Sequence, residues 1–207
     1  KKWRPFVPTP KFDTPPVPPN WKVVGFDTET WLIQPGRVAP KIVCAQFCVQ
    51  GGSPEILDAV EGMKRLEHYL RQPDVLLVAH NASFDLGVFV QNHEDPDAAL
   101  DLVWNALEER RVADTMIWAR MFQIRHGWTE FDPVLNLPST VKGFYSLEKQ
   151  VLRWLGESVT GKYGEDAWRL RYQELDGVPI EQWPPEAVRY AMADAQRAAQ
   201  DEYARAH

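Results

Sequence analysis

Five side chains in three separate stretches of the sequence could act together on a phosphodiester bond. They are four carboxylates and one phenol: Asp27, Glu29, Asp85, Tyr190 and Asp194. Four carboxylates that converge provide the oxygen ligands that a pair of divalent cations prefers. Two such cations can stabilise both the attacking and the leaving oxygen when the bond is cut. The sequence therefore predicts a metal-dependent hydrolytic site if the fold brings these residues together.

The spacing of each pair fits an element that places both members on one face. Asp27 and Glu29 lie two residues apart at the end of an apolar run, and alternate residues of a strand share a face. Tyr190 and Asp194 lie four residues apart in a segment without Gly or Pro, which is the spacing of neighbours on a helix. Taken alone, Asp85 is more often an acid at a helix N-terminus, and Tyr190 is more often a half-buried packing residue. The combination favours a site.

The elements that must position these residues are three early strands followed by alternating helices and strands. We predict strands over residues 22–27, 41–50, 55–58, 74–79 and 112–114. We predict helices over 62–71, from 84 onwards, and over 98–110, 115–122, 146–155, 165–175 and 185–206. This order predicts an α/β fold with a mixed central sheet of about five strands flanked by helices. Residues 1–20 contain seven prolines and are expected to form an extended lead-in to a domain over 21–207.

Composition is that of one globular domain of 207 residues. No apolar stretch approaches the roughly 20 residues that span a membrane, so no membrane contact is expected. Cys44 and Cys48 are four residues apart on a predicted strand, too far for a disulfide, which indicates reduced thiols in the cytoplasm. The net charge of −6 is unusual for a protein that binds nucleic acid, but bound cations would offset four of the acids. A monomer is expected.

The three motifs resemble those of the DEDD 3′–5′ exonucleases over about residues 21–203. Asp27 and Glu29 match the first motif, residues 81–85 the second, and Tyr190 with Asp194 the third. The histidine branch of this family would place a His five residues before the last Asp, where this chain has Arg189. The resemblance is therefore to the tyrosine branch, and to the proofreading domains of DNA polymerase I–type enzymes. It implies a ribonuclease H–like fold.

The resemblance also implies roles for the five residues. Asp27, Glu29 and Asp194 would bind one Mg²⁺, Asp27 would bridge to a second Mg²⁺ held by Asp85, and Tyr190 would orient the attacking water. Mn²⁺ is expected to substitute for Mg²⁺. Six further positions match those that contact the terminal nucleotides in the family: Thr28, Thr30, Leu32, Ile33, Asn81 and Phe84.

The implied activity is release of nucleoside monophosphates from the 3′ end of single-stranded DNA, as in proofreading during replication or repair. A polymerase domain in the same parent chain is an implied partner. The expected location is the cytoplasm, in association with the nucleoid. For a viral protein, the expected location is the cytoplasm of the host cell. Two alternatives stay open: an exoribonuclease of the ribonuclease D type, and a non-catalytic nucleic-acid-binding module on a nuclease fold.

Three local features have two interpretations each. Asp114 precedes a predicted helix, so a helix cap is favoured over a metal ligand. Residues 124–140 are predicted to be a structureless segment that either flanks the substrate, with Trp128 stacking on a base, or packs on the surface. Trp31 either stacks on the last base or fills the core.

Overall fold

A mixed five-stranded sheet in the order β3-β2-β1-β4-β5 forms the centre of the molecule. The computed structural model describes residues 17–157 and 167–206, with side chains as far as residue 200. β1 pairs antiparallel with β2 and parallel with β4, so the sheet is mixed, as predicted. The strands are β1 Lys22–Thr30, β2 Ile42–Val49, β3 Glu55–Asp58, β4 Val75–Ala79 and β5 Val112–Asp114.

Helices cover both faces of this sheet. The helices are α1 Ala59–Arg71, α2 Ala82–Asn92, α3 Pro96–Glu108, α4 Thr115–His126, α5 Leu147–Leu155 and α6 Pro185–Ala206. The main core joins β1, β2 and β4 to α1, α2 and α3, and α6 packs on the opposite face of β1. α4 and α5 pack beside α6. Within the described residues, no helix is long and apolar enough to cross a membrane.

Alternation along β1 decides which side chains meet α6. Val24 and Phe26 point into the main core, whereas Val23 and Gly25 face α6. A Cβ at Gly25 would lie 2.1 Å from the carbonyl oxygen of Ala195, closer than atoms can approach. Gly25 therefore lets the α6 backbone lie directly on β1, next to the acids that follow it on the same face.

Most predicted elements are present, with shifted ends. β1 extends to Thr30, so Asp27 and Glu29 lie within the strand and keep its strict alternation. α1 begins earlier than predicted, at Ala59, because Asp58 caps it. α4 continues to His126, one turn further than predicted.

The helix predicted over 165–175 is wrong for its described part. The chain there forms two short 3₁₀ helices, Trp168–Leu170 and Tyr172–Leu175, and residues 158–166 lie outside the described part. The buried Tyr172 hydroxyl donates to the carbonyl of Ala187 at 2.7 Å, which ties this segment to the start of α6. Tertiary packing here overrides the helical spacing. A third 3₁₀ helix, Ile180–Gln182, was not predicted.

The segment over 124–140 is folded, which corrects the prediction of a structureless loop. α4 occupies its start, and two short strands, β6 Phe131–Asp132 and β7 Leu137–Pro138, form a hairpin. The buried carboxylate of Asp132 accepts from Arg153 at 2.7 Å and from Gln123 at 3.1 Å. The ion pair with Arg153 ties the hairpin to α5, and the hydrogen bond from Gln123 ties it to α4.

Trp128 is half-buried at the end of α4. Its ring meets the edge of Phe122 at 5.5 Å and lies 5.3 Å from His126, measured between ring centroids. These contacts favour the packing interpretation of Trp128 over base stacking.

The two cysteines lie on β2 as expected, and both are buried free thiols. Of the Pro-rich lead-in, residues 1–16 lie outside the described part, so its extended conformation stays a prediction.

Candidate active site

β1 and α6 bring four of the five predicted residues into one electrostatic group. Burial raises the pKa of the Tyr190 phenol far above its usual range, and the negative charges of Asp194, Glu29 and Asp27 raise it further. Tyr190 is therefore protonated at neutral pH and can donate a hydrogen bond. Tyr190 lies one turn before Asp194 on α6, which packs on the face of β1 that carries Asp27 and Glu29.

The carboxylates of this group are largely withdrawn from water. Glu29 and Asp194 are 8% and 9% exposed, and Asp27 is half-buried. Arg197, one turn along α6, donates to Asp194 at 3.1 Å. Its cation offsets part of the cost of holding this charge in a buried setting. The i, i+3 spacing on α6 is the signal by which the sequence could have revealed Arg197.

Two buried side chains that the sequence analysis did not predict, Cys44 and Tyr172, lie next to these residues. Cys44 pairs with Glu29 in the β1–β2 register, and burial, then Glu29 and Asp27, raise the pKa of its thiol. The Tyr172 ring lies 6.3 Å from the Tyr190 ring, tilted by 46°, and burial raises the pKa of its phenol strongly. Both groups are neutral at physiological pH, so they add no charge to the site.

Asp85 reaches β1 from the edge where β4 no longer pairs. Pairing between β1 and β4 stops at Gly25 and Val78, and beyond it Thr28 donates to Asp85 through its backbone N–H at 3.0 Å and its hydroxyl at 2.6 Å. Asp85 is 2% exposed, and this burial raises its pKa to about 7, although both Thr28 hydrogen bonds act in the opposite direction. Thr28, predicted to contact substrate, uses its hydroxyl to hold Asp85.

Asp114 holds the turn that carries Asp85. Its carboxylate accepts from the backbone N–H groups of Asn81 and Ala82 at 3.1 and 2.9 Å, and from those of Met116 and Ile117 at 2.8 and 3.2 Å. The predicted N-cap of α4 is confirmed. The link back to the start of α2, more than thirty residues earlier, has no signal in the local sequence.

The other predicted substrate residues lie at the end of β1, just after it, and at the start of α2. Leu32 and Ile33 follow β1 and are 43% and 74% exposed, so their side chains are accessible to a ligand. Thr30 donates its hydroxyl to the carbonyl of Trp31 at 2.8 Å. Asn81 has a left-handed backbone, with φ of 71°, and Phe84 packs partly against the main core.

Trp31 is held by protein contacts. Its indole N–H donates to Asp176 at 3.0 Å, and its ring packs against a separate buried cluster that includes Val43 of β2, Tyr172 and Ala187 of α6. Lys41 lies over the same ring and pairs with Asp176. The packing interpretation of Trp31 is favoured over base stacking.

The chemistry of the four proposed metal ligands suits a hard divalent cation. All four donors are carboxylates, which suit Mg²⁺ or Mn²⁺ and not metals that prefer thiolate or imidazole. Among the residues that the structure describes, however, no three His, Cys, Asp or Glu side chains form a group that could hold one ion. Asp85 contacts β1 by accepting a hydrogen bond from the Thr28 side chain, which lies on the face of β1 opposite to Asp27 and Glu29. Binding of an ion at these residues would therefore require side-chain rotation.

Comparison with known proteins identifies the kind of domain. A sequence profile described as 3′–5′ exonuclease matches residues 17–199. No protein of curated function matches the chain.

Two solved structures share the fold. The Nibbler EXO domain of Aedes aegypti is 16% identical with a TM-score of 0.57, over 89% of this chain and 77% of that one. NrnC of Brucella melitensis is also 16% identical, with a TM-score of 0.59 over 95% and 76%. The ribonuclease H–like α/β fold expected from the sequence is confirmed.

Proposed function

We propose that this chain, which belongs to the 3′–5′ exonuclease family, removes nucleotides one at a time from the 3′ end of single-stranded DNA. It is a phosphodiester hydrolase, and the products proposed are nucleoside monophosphates. The observation that carries the proposal is the close packing of α6 on the face of β1 that holds Asp27 and Glu29, where Gly25 meets Ala195, the residue after Asp194. These two neighbouring elements, β1 and α6, carry four of the five predicted residues.

The proposed ligands for two Mg²⁺ ions are the four carboxylates. Asp27, Glu29 and Asp194 would hold one ion, and Asp85 with Asp27 the other. When bound, such ions stabilise the attacking and leaving oxygens and make a metal-bound water more acidic. Mn²⁺ has the same ligand preference and should substitute.

Tyr190 is proposed to orient the attacking water, as in the tyrosine branch of the family. Its raised pKa keeps the phenol protonated, so it can position the water by a hydrogen bond but cannot accept its proton. Thr28 would hold Asp85 in place through its two hydrogen bonds. This division assigns the carboxylates to metal binding and the phenol to orientation.

The terminal nucleotide is proposed to lie beside the segment that follows β1. Leu32 and Ile33 expose apolar side chains there, which could pack against a base. Thr30 is the last residue of β1, and Asn81 and Phe84 lie at the start of α2, shortly before Asp85. DNA and a proofreading role are proposed on the likeness of the motifs to those of polymerase I–type proofreading domains.

A cleavage ladder tests this proposal. DNA and RNA single strands of one sequence, each labelled at the 5′ end, are incubated with the protein in Mg²⁺ or in EDTA. We expect stepwise shortening of the DNA in Mg²⁺ alone, with the RNA spared. Preferential shortening of the RNA would replace the DNA assignment with an exoribonuclease, and no shortening of either strand in Mg²⁺ or Mn²⁺ would overturn the proposed function.

A further inference from the structure

Two helices outside the active site expose apolar stripes of identical spacing. Each stripe has residues at i, i+4 and i+7, so each covers about 10 Å of one helix face. The stripe on α3 consists of Leu100, Trp104 and Leu107, which are 42%, 56% and 39% exposed. The stripe on α4 consists of Ile117, Met121 and Ile124, which are 55%, 55% and 62% exposed. Single exposed apolar residues are ordinary, whereas contiguous exposed apolar patches often mark contact surfaces.

The two stripes lie in opposite electrostatic settings. α3 contains Asp97, Asp101 and Glu108 and no basic residue, and helical spacing puts these acids beside Trp104. Among the described residues, none forms an ion pair or a side-chain hydrogen bond with these three carboxylates. α4 contains Arg120 and Arg125 and no acidic residue, and both arginines are exposed.

We propose that the α3 stripe of one copy of this chain docks on the α4 stripe of a second copy. Matching spacing lets the apolar rows of two helices interdigitate, and the acids of α3 then lie opposite the arginines of α4. Trp104 is the central anchor, since large aromatic side chains dominate such contacts. The acidic charge of α3 disfavours nucleic acid as its occupant. This proposal replaces the monomer expected from the sequence.

The contact joins two different surfaces, so it is head-to-tail. Head-to-tail contacts either close into a ring or continue as a chain. A copy that keeps only one stripe can therefore take part in one contact, which limits the assembly to a dimer. That property makes the proposal testable by mixing variants.

Sedimentation velocity over a concentration series, at low and high salt, measures the association. Wild type should associate, and more weakly at high salt because salt screens the charge pairs. Trp104→Ala with Leu107→Ala, and separately Met121→Ala with Ile124→Ala, should each weaken association by roughly tenfold or more. An equimolar mixture of the two variants should form a dimer, because each supplies the stripe that the other lacks.

Charge substitutions test the pairing directly. Asp101→Arg with Glu108→Arg should abolish self-association of that variant, because its α3 then repels the arginines of α4. Mixing it with the variant Arg120→Glu with Arg125→Glu, which also does not self-associate, should restore association. Glu130→Arg with Glu181→Arg changes the net charge equally on other exposed surfaces and should leave association unchanged. Circular dichroism verifies that each variant is folded, independently of nuclease activity. A wild type that is monomeric at every concentration, α3 or α4 variants that associate as strongly as wild type, or a mixture of complementary variants that stays monomeric would each overturn the proposal.

Discussion

The fold changes the protonation of Asp85 by burying its carboxylate. Burial raises its pKa from 3.8 to about 7, so in the metal-free protein it binds a proton that the unfolded chain would release. The folded state then binds more protons than the unfolded state at pH values between these two pKa values. Stability contributed by this group therefore falls as the pH rises from about 4 to about 7, and is constant above that range.

The first prediction concerns this pH window. Asp85→Asn removes the titrating group but keeps its size, so the stability of the variant relative to wild type should grow as the pH rises through the window. Urea unfolding in EDTA, at several pH values, measures the difference. A difference that is independent of pH would contradict the burial of an ionisable Asp85.

Asp114 has a larger role than a helix cap. Asp114→Ala should lower the free energy of unfolding by about 1–2 kcal/mol, because α4 loses its cap. It should also raise the Mg²⁺ concentration needed for half-maximal cleavage, because the turn before Asp85 is no longer held. Asp58→Ala is the matched control, since Asp58 caps α1 through Val60 and Glu61 only. It should lose similar stability without a change in Mg²⁺ requirement. An equal Mg²⁺ requirement in both variants would limit Asp114 to capping.

At the residue scale, local spacing was enough to predict the site residues, but not the hydrogen bonds that hold them in position. The pairs Asp27–Glu29 and Tyr190–Asp194 could be found because strand and helix periods are local. The hydrogen bonds from Thr28 to Asp85 and from residues 81 and 82 to Asp114 join distant parts of the chain. No local pattern encodes them, so Thr28 was assigned to substrate and Asp114 to a cap alone.

At the scale of elements, the contact between β1 and α6 decides whether the site exists. Gly25→Ala would place a methyl group 2.1 Å from the Ala195 carbonyl, and Ala195 adjoins Asp194. Overpacking of this kind typically lowers the free energy of unfolding by about 1–3 kcal/mol. We expect this loss of stability together with a loss of cleavage rate, because α6 must move away from β1.

Gly87→Ala is the control for this substitution. A Cβ at Gly87 would have no neighbour within 4 Å, and the change should stabilise α2 by about 0.5–1 kcal/mol. Thermal unfolding and the rate of DNA shortening measure both variants. Wild-type stability and rate in Gly25→Ala would show that the close approach of α6 is unimportant.

Elements with a strong period were predicted, and those set by distant contacts were not. β3 and β5 have their predicted bounds, and α6 runs over the predicted 185–206. The β6–β7 hairpin depends on the buried pair of Asp132 and Arg153, which are twenty-one residues apart. The 3₁₀ helices at 168–175 depend on Tyr172 meeting α6. Neither contact has a signal in the hydrophobic pattern.

At the scale of the whole molecule, the order of the elements was sufficient for the fold class. Three early strands followed by alternating helices and strands produced the mixed sheet that the structure shows. The exposed stripes of α3 and α4 were not anticipated, because helical periodicity alone does not distinguish a face that meets the core from one that meets another molecule. Burial of each position, and not its residue type, reveals them.

The most direct test of the account compares wild type, Asp27→Ala and Tyr190→Phe for the rate at which each shortens a 5′-labelled DNA strand in saturating Mg²⁺. Asp27→Ala should lose at least about 10²–10³-fold, because it removes a proposed metal ligand whose charge stabilises the transition state. Tyr190→Phe should lose at most about 10²-fold, because it removes only the orientation of the water. Equal and mild losses in both variants would contradict the proposed site.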